Sequence, residues 1–323
     1  MISLDTTLLK DKKNLLAFSA GVDSSALFFL LIENHIKFDI AIVDYGMRAQ
    51  SKKEIDHAKA LAQKFHLQCH TTTAPLFQTH FEKKAREFRY AFFDSLINAE
   101  GYDNLLTAHQ LNDQLEWLLM RLSKGAGVSE LLGLAPISKR EHYTLLRPLL
   151  SYPKDTLLQY LKHHQYPYFI DESNDNEMYE RNKFRKQFSD ALLEKYAEGI
   201  GRSFEYLYKD KQKLESTFEL IYTEKLLSVI QLYSATAKVK AADITLKKQG
   251  YLLSAAQRKE IEHKDALVIG GVWAIVMQGD FLYISPYITE PMPKKFKELC
   301  RINHIPSKIR PYIFKENISL PMI

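Results

Sequence analysis

Short apolar runs, each closed by a polar or glycine-containing knot, alternate with longer stretches of helical period over the first 150 residues. NLLAFSAG (14–21) reads as a buried strand ending in a turn, and VDSSALFFLLIENH (22–35) as the helix that follows. FDIAIVDYG (38–46) is a second strand. SKKEIDHAKALAQKFH (51–66) is an amphipathic helix with Ile55, Ala58, Leu61 and Ala62 on one face. LQCHTTTAP (67–75) predicts a third strand stopped by Pro75, FEKKAREFRYAFFDSLINAEG (81–101) a helix closed by Gly101, and NLLTAH (104–109) a fourth strand. LNDQLEWLLMRLSKG (111–125) predicts another helix, and YTLLRPLL (143–150) a fifth strand. From about Ser151 the pattern turns helical, with KDTLLQYLKHHQ (154–165) and one or two helices across residues 182–235. Beyond Gly250, DALVIGGVWAIVMQGDFLYISPY (265–287) predicts two or three short strands with glycine turns. Strand–helix alternation of this kind implies an α/β domain: a parallel sheet with helices on both faces. A helical segment and a smaller C-terminal α+β domain follow, with domains expected over residues 1–215 and 216–323.

The chain of 323 residues carries a net charge of +5, unevenly placed. Residues 1–150 hold 18 basic and 17 acidic side chains, residues 151–215 hold 11 and 12, and residues 216–323 hold 15 and 10. The excess sits in the last third, which suits either a polyanion such as RNA or a merely solvated basic surface. Lys238, Lys240, Lys247, Lys248, Lys294, Lys295, Lys297, Arg301, Lys308 and Arg310 are the candidate phosphate contacts there. Cys69 and Cys300 stand alone, so neither a disulfide framework nor a zinc site is indicated. No apolar stretch is long enough for a bilayer, and the first residues lack a secretion-signal pattern. A cytoplasmic protein without a membrane partner is expected.

The knot SAGVDSS lies where the first strand hands over to a helix. In a parallel sheet, ligands bind beyond the C-terminal strand ends. Small residues let backbone N–H groups approach a phosphate, and the helix N-terminus adds a favourable dipole. Ser19, Ala20, Gly21, Val22, Asp23 and Ser24 are therefore candidates for holding a nucleotide's phosphates. Asp23 beside phosphate calls for a bridging cation, which Mg²⁺ would supply. An ordinary strand-to-helix turn remains the alternative. No GK[ST] follows, so this is not a Walker loop.

Four further stretches add chemistry. VDYGMR (43–48) places Asp44 and Arg48 after the second strand. AREFRY (85–90) sets Arg86 and Arg89 one helical turn apart. TAHQLNDQLEW (107–117) sets His109 at a strand end, with Asp113 and Glu116 on one helix face. DESNDNEMYERNKFR (171–185) holds Asp171, Ser173, Asn174, Arg181, Asn182 and Arg185. Singly, each is explained as well by helix capping, dipole complementation or a solvated charged face.

Together with RPLL (147–150), these stretches resemble the tRNA(Ile)-lysidine synthetases of the PP-loop ATP pyrophosphatase superfamily, whose fold is Rossmann-like. That family shows SGGxDS, VDHGLR, ARxxRY, TAHHxDDQxET, RPLL and DxSN followed by RNxxR. FKELCRINHIPSKIRPYIF (296–314) resembles its C-terminal segment more weakly. The resemblance implies that ATP and Mg²⁺ serve ligation of free L-lysine to C2 of the wobble cytidine in a tRNA(Ile) with a CAU anticodon. An adenylated cytidine is the intermediate, and lysidine, AMP and pyrophosphate are the products. It implies catalytic roles for Asp23, Arg86, Arg89, His109, Asp113 and Glu116, with Asp23 near the metal and Asp44 near the adenosine or the metal. It also implies substrate contacts by Asp113, Glu116, Asp171, Asn174, Arg181, Asn182 and Arg185, and it allows a homodimer.

Departures from the family pattern are Ala20, Tyr45, Gln110, Asn112 and Trp117. Ala20 in place of glycine implies a negative φ or a relaxed turn there. Asn112 removes a carboxylate, leaving His109, Asp113 and Glu116 to act. Rival readings are a PP-loop tRNA thiolase, which two scattered cysteines disfavour, a small-molecule amide ligase, and a non-catalytic RNA-binding protein.

Overall fold

The computed structural model describes residues 2–46, 49–77, 79, 81–170 and 180–319. The chain divides into two compact units, Met1–Tyr208 and Lys209–Ile323. The first is built from β1 (Asn14–Ala17), α1 (Val22–Glu33), β2 (Phe38–Asp44), α2 (Ala49–Phe65), β3 (Cys69–Thr73), α3 (Phe81–Glu100) and β4 (Asn104–Leu106). It continues through α4 (Leu111–Leu122), α5 (Val128–Leu131), β5 (Ile137–Lys139), β6 (Thr144–Leu146), α6 (Lys154–His163), α7 (Glu180–Phe184), a π-helical turn (Arg185–Ser189) and the greater part of α8 (Asp190–Glu215).

Six strands lie in the order β3-β2-β1-β4-β6-β5, all parallel except the edge pair β5–β6. Consecutive strand residues point to opposite faces, and both faces are apolar. Leu16, Ile40, Ile42, Leu106 and Leu146 pack with α1, α2 and α6, whereas Leu15, Ala41, Leu105 and Leu145 pack with Phe93 and Ile97 of α3. Each such leucine, removed from water, contributes roughly 1.5–3 kcal/mol. The edge strand β5 is short and mostly exposed, so it carries no apolar run and only its partner β6 is foreshadowed by sequence. Asn14 and Asn104 are paired across β1 and β4, and Asn104 Nδ2 donates to Asn14 Oδ1 at 2.9 Å. That buried bond pins the register of the two strands whose C-terminal ends open onto the site.

The second unit contains β7 (Phe218–Glu224), β8 (Leu227–Leu232), α9 (Lys238–Lys248), α10 (Ala255–His263), β9 (Ala266–Ile269), β10 (Trp273–Gln278), β11 (Phe281–Pro286), α11 (Lys294–Ile302) and α12 (Arg310–Glu316). Its five strands form an antiparallel sheet, β7-β8-β11-β10-β9, with apolar clusters on both faces. The expected helices across residues 182–235 are corrected here, because residues 218–232 are two strands. LSVIQL is almost wholly buried, and a short apolar run buried on both sides shows no period that separates strand from helix. No helix among the described residues is long and apolar enough to cross a membrane.

The turn after β1 holds a second correction. Ala20 has φ 58°, in the left-handed region, whereas Gly21 has φ −75°. The strain expected to be avoided is present, and it is held by full burial of Ala20 and by Phe169 N–H donating to Ala20 O at 2.8 Å. A left-handed alanine costs ~1–2 kcal/mol, and glycine returns about 0.5–1 kcal/mol of that through its looser unfolded chain. Ala20→Gly is therefore expected to raise the urea midpoint of the first unit slightly; a lower midpoint would show that the alanine methyl's packing outweighs its strain.

Candidate active site

β1 ends at Ala17, and within five residues the chain has turned into α1. Gly21 is the N-cap and makes no side-chain cap, so the first turn of α1 offers its dipole and backbone donors to an outside anion. A methyl group added to Gly21 would meet only Ser19 Oγ, at 3.5 Å. The glycine is thus not required by its own backbone angle; what it preserves is open space over the turn. Ser19 and Ser24 hydroxyls meet at 3.0 Å, Ser19 N–H donates to Ser24 Oγ at 3.2 Å, and Ser24 Oγ donates to Gly21 O at 3.2 Å. These bonds hold the bend in shape before any ligand arrives.

Asp23 sits in the first turn of α1. Its Oδ1 is sealed from solvent and has no hydrogen-bond partner. Burial, then the nearby Asp113, push its pKa up to about 7, against opposing pulls from Lys154 and Arg185. The phosphate turn and the TAHQLNDQLEW stretch therefore share one electrostatic site. Mg²⁺ commonly takes only one or two carboxylates and completes its shell with phosphate oxygens and water. A lone, unpartnered carboxylate oxygen at a phosphate turn fits that requirement, and no cluster of three His, Cys, Asp or Glu side chains suited to a metal occurs among the described residues.

α4 starts just beyond β4. Gln110 is its N-cap: Asn112 N–H donates to Gln110 Oε1 at 2.5 Å, and Gln110 N–H donates to Asp113 Oδ2 at 3.0 Å. The other oxygen of Asp113 accepts from Arg181 Nη2. Glu116 is fully buried, and it accepts from Arg181 Nε at 2.7 Å and from Arg185 Nε at 2.6 Å. Burial works against ionisation of Asp113, yet Arg181, His109 and the Gln110 backbone bond hold its pKa below the usual carboxylate range. Burial likewise opposes the charge on Arg181, and the Asp113 and Glu116 carboxylates more than offset it. His109 contacts Thr107 Oγ1 through Nδ1 at 3.0 Å. Burial lowers its pKa to about 4, so its imidazole is neutral at physiological pH.

The remaining expected residues are more dispersed. Arg86 lies 4.7 Å from the Tyr90 ring centre, and its charge reaches His109. Arg89 lies instead against the Tyr45 hydroxyl. Asp44 closes its own turn by accepting Gly46 N–H at 2.7 Å. Asn182 is buried on α7. Arg48, Asp171, Ser173 and Asn174 lie outside the described residues.

Each departure from the family pattern has a local partner. Asn112 donates through Nδ2 to Asp190 Oδ1 at 3.1 Å and accepts Lys154 N–H at 3.1 Å. Trp117 donates to Glu130 O at 2.8 Å, has Arg121 stacked at 4.3 Å, and fills the space beside Gly133.

Two neighbours of the site escaped the sequence reading. Lys154 acts on Asp23, and its signal is topological: it opens the helix after β6. Arg147, at the end of β6, is buried and acts on His109. It lies in the quoted RPLL stretch, where no charge pairing marks a role.

In the second unit, four of the candidate phosphate contacts have partners within the chain. Lys238 is buried and donates to Lys264 O at 2.9 Å and Asp265 Oδ1 at 2.8 Å. Lys308 donates to Ala266 O at 3.0 Å and Arg310 to Ile305 O at 2.7 Å, while Arg301 pairs with Glu298. These cations already have intramolecular partners.

A PP-loop domain family matches residues 3–192. A tRNA(Ile)-lysidine synthase of Campylobacter jejuni is 45% identical over 97% of this chain and 96% of its own length. One of Helicobacter pylori is 41% identical over 97% and 92%, respectively. Among solved structures, a U34-tRNA thiolase from Methanococcus maripaludis superposes with TM-score 0.54 at 17% identity, covering 64% of this chain and 75% of that one. This last likeness is one of fold.

Two outcomes follow from the geometry. A β-carbon on Gly133 would lie 2.3 Å from the Trp117 indole. Gly133→Ala is therefore expected to cost ~1–3 kcal/mol of stability by overpacking, and the cost should largely vanish in the Trp117→Thr background; equal costs in both backgrounds would refute the interlock. Asp23 binds its proton more tightly folded, at about 7, than its ordinary 3.8. Its effect is thus least harmful at low pH and increasingly destabilising as pH rises toward and through 7. In the absence of ligands, Asp23→Asn is expected to melt several degrees above the parent at pH 8 and level with it near pH 4. A gain independent of pH would contradict this assignment.

Proposed function

The chain belongs to the tRNA(Ile)-lysidine synthase family of PP-loop enzymes, an ATP-using, tRNA-modifying ligase family, and from that premise we propose that it joins free L-lysine to C2 of the wobble cytidine in tRNA(Ile) with a CAU anticodon. The observation that carries the lysine assignment is the charged quartet of Asp113, Glu116, Arg181 and Arg185. Free lysine brings an α-carboxylate and two ammoniums, the α group and the ε group whose nitrogen reacts. The quartet holds both complementary charges, each satisfied by the other until a zwitterion inserts. Arg181, the more exposed of the two arginines, is the one able to turn from Asp113 toward a substrate carboxylate.

In the first step, cytidine O2 attacks the α-phosphorus of ATP and pyrophosphate leaves. Backbone donors of the Ser19–Ser24 turn and the α1 dipole hold the phosphates while negative charge builds on the leaving group. Asp23 would hold Mg²⁺, which when bound neutralises phosphate charge. Arg86 and Arg89 bring cationic donors from α3, and Asp44 stands at the β2 end for the adenosine.

In the second step, the lysine ε-nitrogen attacks C2, the C2–O2 bond breaks, and AMP leaves with that oxygen. The ammonium must first lose a proton. Asp113 binds the ammonium and is the candidate to take its proton, with neutral His109 beside it. Glu116 keeps Arg185 and Arg181 in place. Asn174, Asp171 and Asn182 are assigned to substrate contacts on the resemblance.

The test is RNA-dependent pyrophosphate release measured alongside lysine incorporation. The parent should require ATP, Mg²⁺ and the transcript together for release, and lysine for product. Truncating one partner of a buried ion pair costs ~2–5 kcal/mol. Asp113→Asn is therefore expected to lower kcat/KM for lysine at least 30-fold while RNA-dependent pyrophosphate release stays within a few-fold. Unchanged lysine kinetics would remove Asp113 from the ammonium site, and splitting of ATP to ADP would remove the reaction itself.

A further inference from the structure

Next to the catalytic mouth, a cavity of about 700 Å³ runs along α3 to the turn of the β5–β6 hairpin. Lys83, Arg86, Tyr90 and Asn98 form one wall, and Arg140 and Tyr143 the other. Two guanidiniums line the groove with Tyr90, and a third lies buried within electrostatic reach. Arg86 stacks on its ring, Arg140 stands on the facing turn, and Arg147, only 5% exposed, lies close enough for its charge to feel Tyr90, Arg140 and Arg86. Arg147 Nη1 donates to Ala135 O at 2.6 Å and Ser138 Oγ at 3.2 Å, but its Nε is sealed from solvent with no partner.

Each of the three acidic residues of the cavity is engaged by another of its lining residues. Glu87 pairs with Lys83 at 3.8 Å, Glu141 with His142 at 3.8 Å, and Asp94 accepts the Tyr143 hydroxyl. No carboxylate forms an ion pair with Arg86, Arg140 or Arg147 among the described residues. Arg86 and Arg140, guanidiniums on facing walls with no such carboxylate ion pair, are free to take an anion from outside. Guanidiniums match phosphate oxygens through forked hydrogen bonds, and tyrosine rings offer faces on which bases stack.

We infer that this groove seats the sugar–phosphate backbone of the RNA strand flanking the reacting base, with Arg140 directed at phosphate and Tyr90 and Tyr143 at a base. The assignment rests on the function proposed above. Arg86 links the two places, because it lines the groove and its charge also reaches His109. A strand that presents one base to the phosphate turn thereby lays a neighbouring phosphate along α3.

Arg140 tests this without touching the catalytic groups. It is exposed, on a hairpin turn, and makes no side-chain bond that folding needs. Arg140→Glu is expected to raise KM for the transcript at least 10-fold, and Arg140→Ala about 3-fold, with Arg140→Lys close to the parent. Losing one phosphate contact should also lower the slope of log affinity against log salt by about 0.7–1. KM for ATP and lysine, kcat at saturating RNA and the melting temperature should stay at parental values. If the parent needs RNA for pyrophosphate release and Arg140→Glu shows the parental KM and salt slope, the groove assignment falls and the function stands. This is also the outcome if the groove serves a protein partner. If the parent's turnover is indifferent to RNA, both fall.

Discussion

Glu116 is an acid with no exposure to water, and much of the site's arrangement follows from that one condition. A buried carboxylate is tolerable only when cations and hydrogen bonds surround it. Arg181 and Arg185 meet that need from α7 and the adjoining π-helical turn, and in doing so they are drawn onto the first turns of α4. Asp113, three residues earlier on the same helix, shares Arg181 and caps the helix with its other oxygen. One buried charge thus ties together segments that are some seventy residues apart in sequence, at the place where the phosphate turn opens.

The site also divides its two acidic environments cleanly. Asp113 has its charge stabilised by neighbours, whereas Asp23 has a desolvated oxygen, no partner and a pKa pushed up to about 7. The first suits recognition of a cation that must be exchanged with an arginine. The second leaves an acceptor oxygen unsatisfied, which the proposed Mg²⁺ would satisfy. His109 sits between these demands, neutral because burial forbids its charge.

Much of this was legible in the sequence because it is local. The apolar runs bounded by small polar residues marked β1, β2 and β4, and motif spacing marked the faces carrying Asp113, Glu116, Arg181 and Arg185. What escaped depends on tertiary context. The strands at 218–232 carry a run buried on both sides, which has no distinguishing period. The positive φ of Ala20 is enforced by a hydrogen bond from Phe169, far along the chain. The bonds of Lys238 and Lys308 to backbone carbonyls leave no trace in residue type. Arg147 was visible as a letter, but its orphaned nitrogen exists only in three dimensions.

The amide of Asn112 links α4, α6 and α8, with its nitrogen on Asp190 and its oxygen on the Lys154 N–H. An aspartate at 112 could still accept from Lys154, but it would face the Asp190 carboxylate at hydrogen-bonding range. Positions 112 and 190 are therefore chemically entangled: an acid at either one obliges a donor at the other.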